Sequence, residues 1–254
     1  MFSGGVGSWF SAKLSVEVHG AENVTLLFAD TRVEAPDLYE FIQAAADNLG
    51  CELVTVADGR TPFEVFKDDR FLGNSRLANC SKYLKQKPCR EWIEANCDPA
   101  DTALVVGIDW SEIHRLPAIE AGWAPYTVAA PLTLPPYFTR AQMLDALKAS
   151  GLALPKAYAD GFPHNNCMAQ GCVRGGQAYW RALLRTDRAT YLDTEAEEEA
   201  LRVHLDKPVT ILRDRVGGTS TPITLREFRE RIERQGELFD DGEWGGCGCF
   251  TEAA

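Results

Sequence analysis

Three apolar runs constrain this chain most. Val24-Thr25-Leu26-Leu27-Phe28-Ala29 stops at Asp30, Cys51-Glu52-Leu53-Val54-Thr55-Val56 runs on to Asp58-Gly59, and Thr102 to Ile108 stops at Asp109. A half-exposed strand alternates apolar and polar residues. Val24 to Ala29 is continuous and lacks that alternation, which fits a strand buried on both faces, as in a parallel sheet; the other two runs read as the next strands. Helical spacing fills the intervals: Trp9 to Val18 closed by Gly20, Asp37 to Leu49 closed by Gly50, and a helix across Ser81 to Asn96. Thr61-Pro62 opens a shorter one, with threonine as cap and proline in the first turn. A helix from Ser111 and a fourth strand over Tyr126 to Ala129 continue the alternation, which is that of an α/β domain. Ligands of such sheets bind beyond the carboxyl ends of the strands, where Asp30, Asp58 and Asp109 fall.

A glycine turn precedes all of this. Ser3-Gly4-Gly5-Val6-Gly7-Ser8 leads straight into the first helical pattern. A tight turn at a helix N-terminus presents main-chain N–H groups and partial positive charge to an anion. Ser3, Gly4, Gly5, Gly7 and Ser8 are therefore candidate phosphate contacts; the alternative is a frayed terminus.

The style changes after Pro131-Leu132-Thr133-Leu134-Pro135-Pro136, which marks a boundary between residues 1–135 and 136–254. Thr139 to Ser150 reads as a capped helix, 161–176 as a loop with two cysteines, and Gln177 to Leu184 as a helix. An acidic helix over Thr194 to Leu205, a strand-like Val209 to Leu212, a turn over Gly217 to Pro222 and a charged helix over Thr224 to Gln235 follow. The eight cysteines and the formal charge of -11 bear on function. Net acidity disfavours non-specific adherence to nucleic acid, which depends on Lys and Arg neutralising phosphates. No run approaches the ~20 apolar residues of a membrane span, and the first residues lack the plan of a signal peptide. The cytoplasm is the expected compartment, where clustered cysteines are metal ligands or redox thiols more often than disulfides.

Four blocks in register carry a family resemblance over roughly the first 120 residues, a domain-scale span. Ser3 to Ser8 resembles the Ser-Gly-Gly-x-Asp-Ser pyrophosphate loop (PP-loop) of the adenine-nucleotide α-hydrolases. Phe28-Ala29-Asp30-Thr31 with Glu34 and Tyr39-Glu40-Phe41 resembles the second-strand signature of the phosphoadenosine-phosphosulfate reductase branch. Cys80-Ser81 with Leu84-Lys85 is similar to its Cys-x-x-x-Lys segment, and Gly107-Ile108-Asp109 with Glu112 and Arg115 to its Gly-Ile-Arg-x-x-Glu-x-x-Arg block. The resemblance implies a Rossmann-like (HUP-type) parallel sheet flanked by helices, with a Cys-rich, mostly helical C-terminal extension covering the active-site face. It also implies an adenine nucleotide, ATP or an adenylyl sulfate, as ligand. Two departures stand out. Only Met1 and Phe2 precede the loop where the family has a full first strand, so that strand is almost absent or the natural start lies upstream. Gly7 replaces the loop aspartate, which counts against ATP cleavage and its Mg2+.

In that frame Asp30, Asp109 and Glu112 are expected near the nucleotide, and Lys85 and Arg115 on its phosphate or sulfate. The cations around Cys80 would activate its thiol. For Asp30 the alternative is a turn residue, for Glu112 and Arg115 a helix-face salt bridge. Cys51, Cys89 and Cys97 read as structural. Cys167, Cys172, Cys247 and Cys249 form the second signal: four thiolates that could close a zinc site, ligate an iron–sulfur cluster or cycle as dithiols. His164 and Asn165 beside them either orient substrate or cap a helix. The expected activity is sulfur transfer or sulfonucleotide reduction, with a sulfur donor or thioredoxin-like reductant as partner. Two rivals are ATP-dependent adenylylation of a nucleobase or other carbonyl, as in a thiolase or amidase, and a non-catalytic nucleotide- or nucleic-acid-binding subunit of a modification or defence complex. The Arg-rich helix Arg226 to Arg234 would serve the last, although Glu227, Glu230 and Glu233 on it fit a salt-bridged face as well.

Overall fold

The computed structural model describes residues 1–74, 77–165, 167–216, 219–235 and 244. Helix α1 (Val6–His19) leads to β1 (Thr25–Ala29), α2 (Pro36–Leu49) and β2 (Glu52–Val56). The strands β1 and β2 pair in parallel from Thr25↔Glu52 to Ala29↔Val56. Next come α3 (Pro62–Asp68), the single turn α4 (Asn79–Ser81), a π-helical turn (Lys82–Gln86) and α5 (Lys87–Asn96). Then β3 (Ala103–Val105), a 3-10 helix (Trp110–Arg115), α6 (Leu116–Trp123) and β4 (Thr127–Ala129) complete a second parallel pair, β3 with β4. Between the pairs lie the first two residues. The Phe2 N–H donates to the Leu27 carbonyl and the Met1 amino group to the Val105 carbonyl, each at 2.8 Å. Hydrogen bonds therefore run in the order β2, β1, Met1–Phe2, β3, β4.

The first apolar run is covered on both faces, while β2, paired on one side only, has exposed and half-buried residues and none fully buried. On β1, Leu26 and Phe28 point to one side, into a cluster with Trp9, Phe10, Leu38, Phe41, Ile42 and Leu147. Leu27 and Ala29 point to the other, among Ile93, Leu104, Ile119 and Trp123. Helix boundaries follow local chemistry. The Thr61 hydroxyl accepts from the Glu64 N–H while Glu64 accepts from the Thr61 N–H, a complete capping box ahead of Pro62. Thr139 and Gln142 repeat it at α7 (Arg140–Ala149). Gly50 ends α2 at φ 68°, a left-handed conformation open to glycine at no steric cost.

The segment predicted as one helix over Ser81 to Asn96 is helical from Asn79, with the π turn inside it. Pro88 has no N–H for the carbonyl four residues back, and the widened turn ahead of it accommodates that loss. Helix α1 begins at Val6, three residues before the expected start, because the glycine turn itself feeds the helix.

Later elements build a third cluster. Helices α8 (Lys156–Ala159), α9 (Gln177–Thr186), α10 (Arg188–Leu205) and α11 (Leu225–Gln235) are joined by an antiparallel hairpin of β5 (Leu212–Val216) and β6 (Thr219–Ile223). Phe66, Leu84, Phe162, Trp180, Tyr191, Leu201 and Phe228 fill this core together with Cys80, Cys167 and Cys172. The hairpin departs from the sequence reading, which put a strand at Val209 to Leu212 and a turn over Gly217 to Pro222. Ile211 and Leu212 are apolar because they are buried in the helical cluster, and the Ile211 N–H donates to the Glu198 carboxylate at 2.7 Å. The real strands, with Arg213, Asp214 and Thr219 to Thr221, carry too little apolar patterning to announce themselves. No helix among the described residues is long and apolar enough to cross a membrane.

Candidate functional site

At the start of α1 the chain is folded tightly on itself. Gly4 takes φ 72°, and a Cβ there would stand 2.2 Å from the Leu38 side chain, so this turn requires glycine. The Ser8 hydroxyl donates to the Gly5 carbonyl at 2.8 Å and accepts from the Ser3 N–H at 3.3 Å. One serine thus closes the loop. Gly7 and Gly107 meet back to back: a Cβ on Gly7 would lie 2.7 Å from the Gly107 carbonyl oxygen, and one on Gly107 2.7 Å from the Ser8 nitrogen. This is the physical reason for glycine where the resembling family has aspartate. The main chain leaving β3 occupies the space a side chain would need.

A cavity of about 200 Å³ opens at this meeting point. Its lining brings together the loop (Ser3, Gly5, Val6, Gly7 and Ser8), Glu34 and Lys85, the end of β3 with Gly107, Asp109, Glu112 and Arg115, and, from later in the chain, Arg140, Tyr158, His164 and Asn165. Full ligand pockets run to about 300–1,000 Å³, so this one has room for a small group and not for a whole nucleotide.

The cations in the lining are not equivalent. Lys85, delivered from the π turn, lies 3.7 Å from the Glu34 carboxylate, whose side chain is 1% exposed. Glu34 also accepts from the Thr31 hydroxyl at 2.9 Å. Arg115 is paired with Glu112 three residues earlier. Arg140 has neutral neighbours: it donates to the Phe162 carbonyl at 2.9 Å and stacks 5.2 Å over the Tyr158 ring. Its Nε is buried without a hydrogen-bond partner among the described residues. Among the described residues no carboxylate pairs with Arg140, unlike Lys85 and Arg115 in the same lining. The Tyr158 hydroxyl accepts from the Val6 N–H at 2.9 Å, taking one of the donors at the helix N-terminus.

Of the residues singled out from sequence, Ser3, Gly5, Gly7, Ser8, Lys85, Asp109, Glu112 and Arg115 line this one cavity. Gly4 shapes the turn beneath it. Asp30 is not in the lining; its carboxylate accepts from the Arg32 N–H and the Tyr39 hydroxyl, both at 2.7 Å, and holds the turn after β1. Asp109 accepts from the Ser111 N–H at 2.8 Å and caps the 3-10 helix. Cys80 is buried in the helical core rather than in the pocket wall. Cys89 is also buried, which pushes its thiol up to about 11.

Cys167 and Cys172 are brought together. A hydrogen bond between them and burial hold the Cys167 thiol well above the usual cysteine range, while the charge of nearby Lys85 acts in the opposite direction. Cys247 and Cys249 lie outside the described residues. Among those described, no group of three or more His, Cys, Asp or Glu side chains is placed to hold a metal ion. The Arg-rich helix is committed internally: Arg229 makes two hydrogen bonds to Glu195, at 2.8 and 3.0 Å, and Arg231 bonds Asp214 at 2.6 Å.

Sequence reasoning missed Arg140, Tyr158 and the role of Gly107. Arg140 and Tyr158 follow the change of style at 131–136, where no motif drew attention to them. Gly107 was visible only as part of a motif. No protein-family model matches the chain, and no curated protein matches it.

Proposed function

We propose that the chain is an adenine-nucleotide-binding enzyme built on a Rossmann-like (HUP-type) sheet, of the sulfonucleotide-reductase or sulfur-transfer type. One observation carries this: the glycine turn of α1, the end of β3 and the Arg140 guanidinium converge on one small cavity. The hydrogen-bond order β2, β1, Met1–Phe2, β3, β4 supports the sheet. In such an order the crevice beside the first strand takes the ligand.

In this reading the N–H groups of Gly5 and Gly7 and the Ser3 hydroxyl hold a phosphate, as helix N-termini do, while Ser8 keeps the loop closed through its bond to the Gly5 carbonyl. Arg140 and Arg115 meet its charge. The nucleoside extends from the cavity mouth, since about 200 Å³ accommodates the phosphate portion only. The Cys167–Cys172 pair, near Lys85, is the candidate dithiol. Burial and the bond to Cys172 favour the thiol form of Cys167, so the chemistry requires a proton to leave Cys167 first. The described residues offer this pair and no third ligand, so no step is assigned to zinc or an iron–sulfur cluster.

Calorimetric titration with pyrophosphate, ATP and adenylyl sulfate tests the reading. Adenylyl sulfate should bind in the micromolar range, about −8 kcal/mol, and Arg140→Ala should weaken it. Failure of all three ligands to bind would remove the nucleotide assignment. Substantial ATP–pyrophosphate exchange would replace reduction with adenylylation.

A further inference from the structure

Large apolar side chains are left half exposed beside the cavity at the glycine turn. The 3-10 helix Trp110–Arg115 advances about three residues per turn, so side chains three positions apart share a face. Asp109, Glu112 and Arg115 make one such set, and all three line the cavity. Trp110 and Ile113 make the adjoining set, and they are 51% and 50% exposed. Tyr137 extends this apolar face. Its ring centroid lies 6.2 Å from that of Trp110 with the planes tilted by 56°, yet the tyrosine remains 58% exposed.

Both segments that carry these rings also carry cavity lining: Trp110 follows Asp109, and Tyr137 stands three residues before Arg140. The carboxylates beside the rings are engaged, Glu112 by Arg115 and Asp109 by the N–H and hydroxyl of Ser111. An anionic ligand therefore does not face two bare negative charges there. The size of the patch limits what can cover it. A specific protein interface takes about 20–30 residues a side, whereas the large exposed apolar side chains of these two segments are Trp110, Ile113, Leu134 and Tyr137. Two rings match one nucleobase, which stacks on aromatic side chains through its π-face.

We propose that the Trp110–Tyr137 pair is the base platform of the nucleotide site, taking the nucleobase of a ligand whose phosphate occupies the cavity. The inference rests on the phosphate reading given above. A cavity of about 200 Å³ excludes the base, so the base must settle on the surface around it, and the 3-10 helix offers the adjoining surface. Trp110 and Tyr137 are binding residues in this assignment and touch no reacting atom. Stacking accepts any base, so the platform supplies affinity rather than the choice of base.

The test compares pyrophosphate with ADP, which adds the adenosine, in calorimetric titrations of the full chain. ADP should bind at least about tenfold more tightly than pyrophosphate. Trp110→Ala and Tyr137→Ala should each cost about five- to tenfold in ADP affinity. Pyrophosphate affinity should stay within about twofold in both variants, which also shows that they fold, since exposed substitutions change stability little. Trp110→Phe keeps a ring and should retain most of the ADP affinity. Equal affinity for the two ligands in the natural protein, or ADP affinity unmoved by both alanine variants, would overturn the platform and leave the phosphate reading standing. Equal loss of both ligands in Trp110→Ala would overturn it too, because the tryptophan would then be shaping the cavity. A dimer in sedimentation that Trp110→Ala dissociates would give the patch to a second copy. Failure of pyrophosphate to bind at all would remove the phosphate reading itself, and the platform with it.

Discussion

Replacing Gly7 by alanine sets two known effects against each other. Alanine is the better helix former by about 0.8–1 kcal/mol in a helix interior, and Gly7 lies inside α1. Against that, the new Cβ would stand 2.7 Å from the Gly107 carbonyl oxygen. The opposing atom is main chain and cannot rotate away. Gly107 cannot back off freely either, because its own α-carbon already faces the backbone of Gly7 and Ser8. Overpacking of this kind costs about 1–3 kcal/mol, and in the first helical turn the propensity gain is reduced. The clash should win by about 1–2 kcal/mol. For a chain of this size that lowers Tm by roughly 2–8 °C. Urea denaturation followed by tryptophan fluorescence reads it, with Trp9, two residues away and 0% exposed, as the local reporter. Pyrophosphate affinity should fall in the same variant. Gly7→Asp, which introduces a carboxylate at this loop position, should lose more stability and gain no ATP cleavage. A Gly7→Ala protein with an unchanged or higher denaturation midpoint and full phosphate affinity would refute the close approach as the reason for glycine.

Three further outcomes follow from the same geometry. Tyr158→Phe removes the hydroxyl that accepts from the Val6 N–H; with that donor released to the ligand, pyrophosphate should bind about fivefold more tightly by calorimetry, about 1 kcal/mol, and weaker binding would make the hydroxyl a ligand contact. Lys85→Met strands the Glu34 carboxylate in the interior and should cost about 3 kcal/mol in urea denaturation, most of it regained in Lys85→Met with Glu34→Leu. Glu198 accepts from the N–H groups of Ile211 and Leu225, both at 2.7 Å, and burial raises its pKa from the ordinary 4.5. The folded state therefore holds a proton there more tightly than the unfolded state. Its contribution to stability is full below about pH 4.5 and is lost as pH rises through the folded value. The stability advantage of the natural protein over Glu198→Gln should accordingly shrink between pH 4 and 7, and a constant difference would count against the raised pKa.

Much of the scaffold was legible because its signals are local. Val24 to Ala29 reads as a strand covered on both faces, as β1 is, and Thr61-Pro62-Phe63-Glu64 carries its own capping box. The loop, Lys85, Asp109, Glu112 and Arg115 were found by motif, and they do line one cavity. Asp30 shows the limit of a motif: a carboxylate at a strand end serves equally to hold a turn, and only its bonds to Arg32 and Tyr39 decide which. Likewise the charges of α11 fit either a docking face or a salt-bridged one in sequence, and the bonds of Arg229 to Glu195 and Arg231 to Asp214 favour the second.

By itself the sequence determined the covered strands, the turns that require glycine and the caps that start helices, since each depends on residues a few positions apart. Only the tertiary structure decided which distant groups meet. Val6 and Tyr158 are 152 positions apart, Met1 and Val105 104, and no spacing rule reaches that far. Whether Gly7 has room for a side chain depends on where β3 ends. Whether Met1 and Phe2 come to lie between β1 and β3 depends on which strands lie beside each other. Both are consequences of packing two separate stretches of chain, and local sequence contains neither distance.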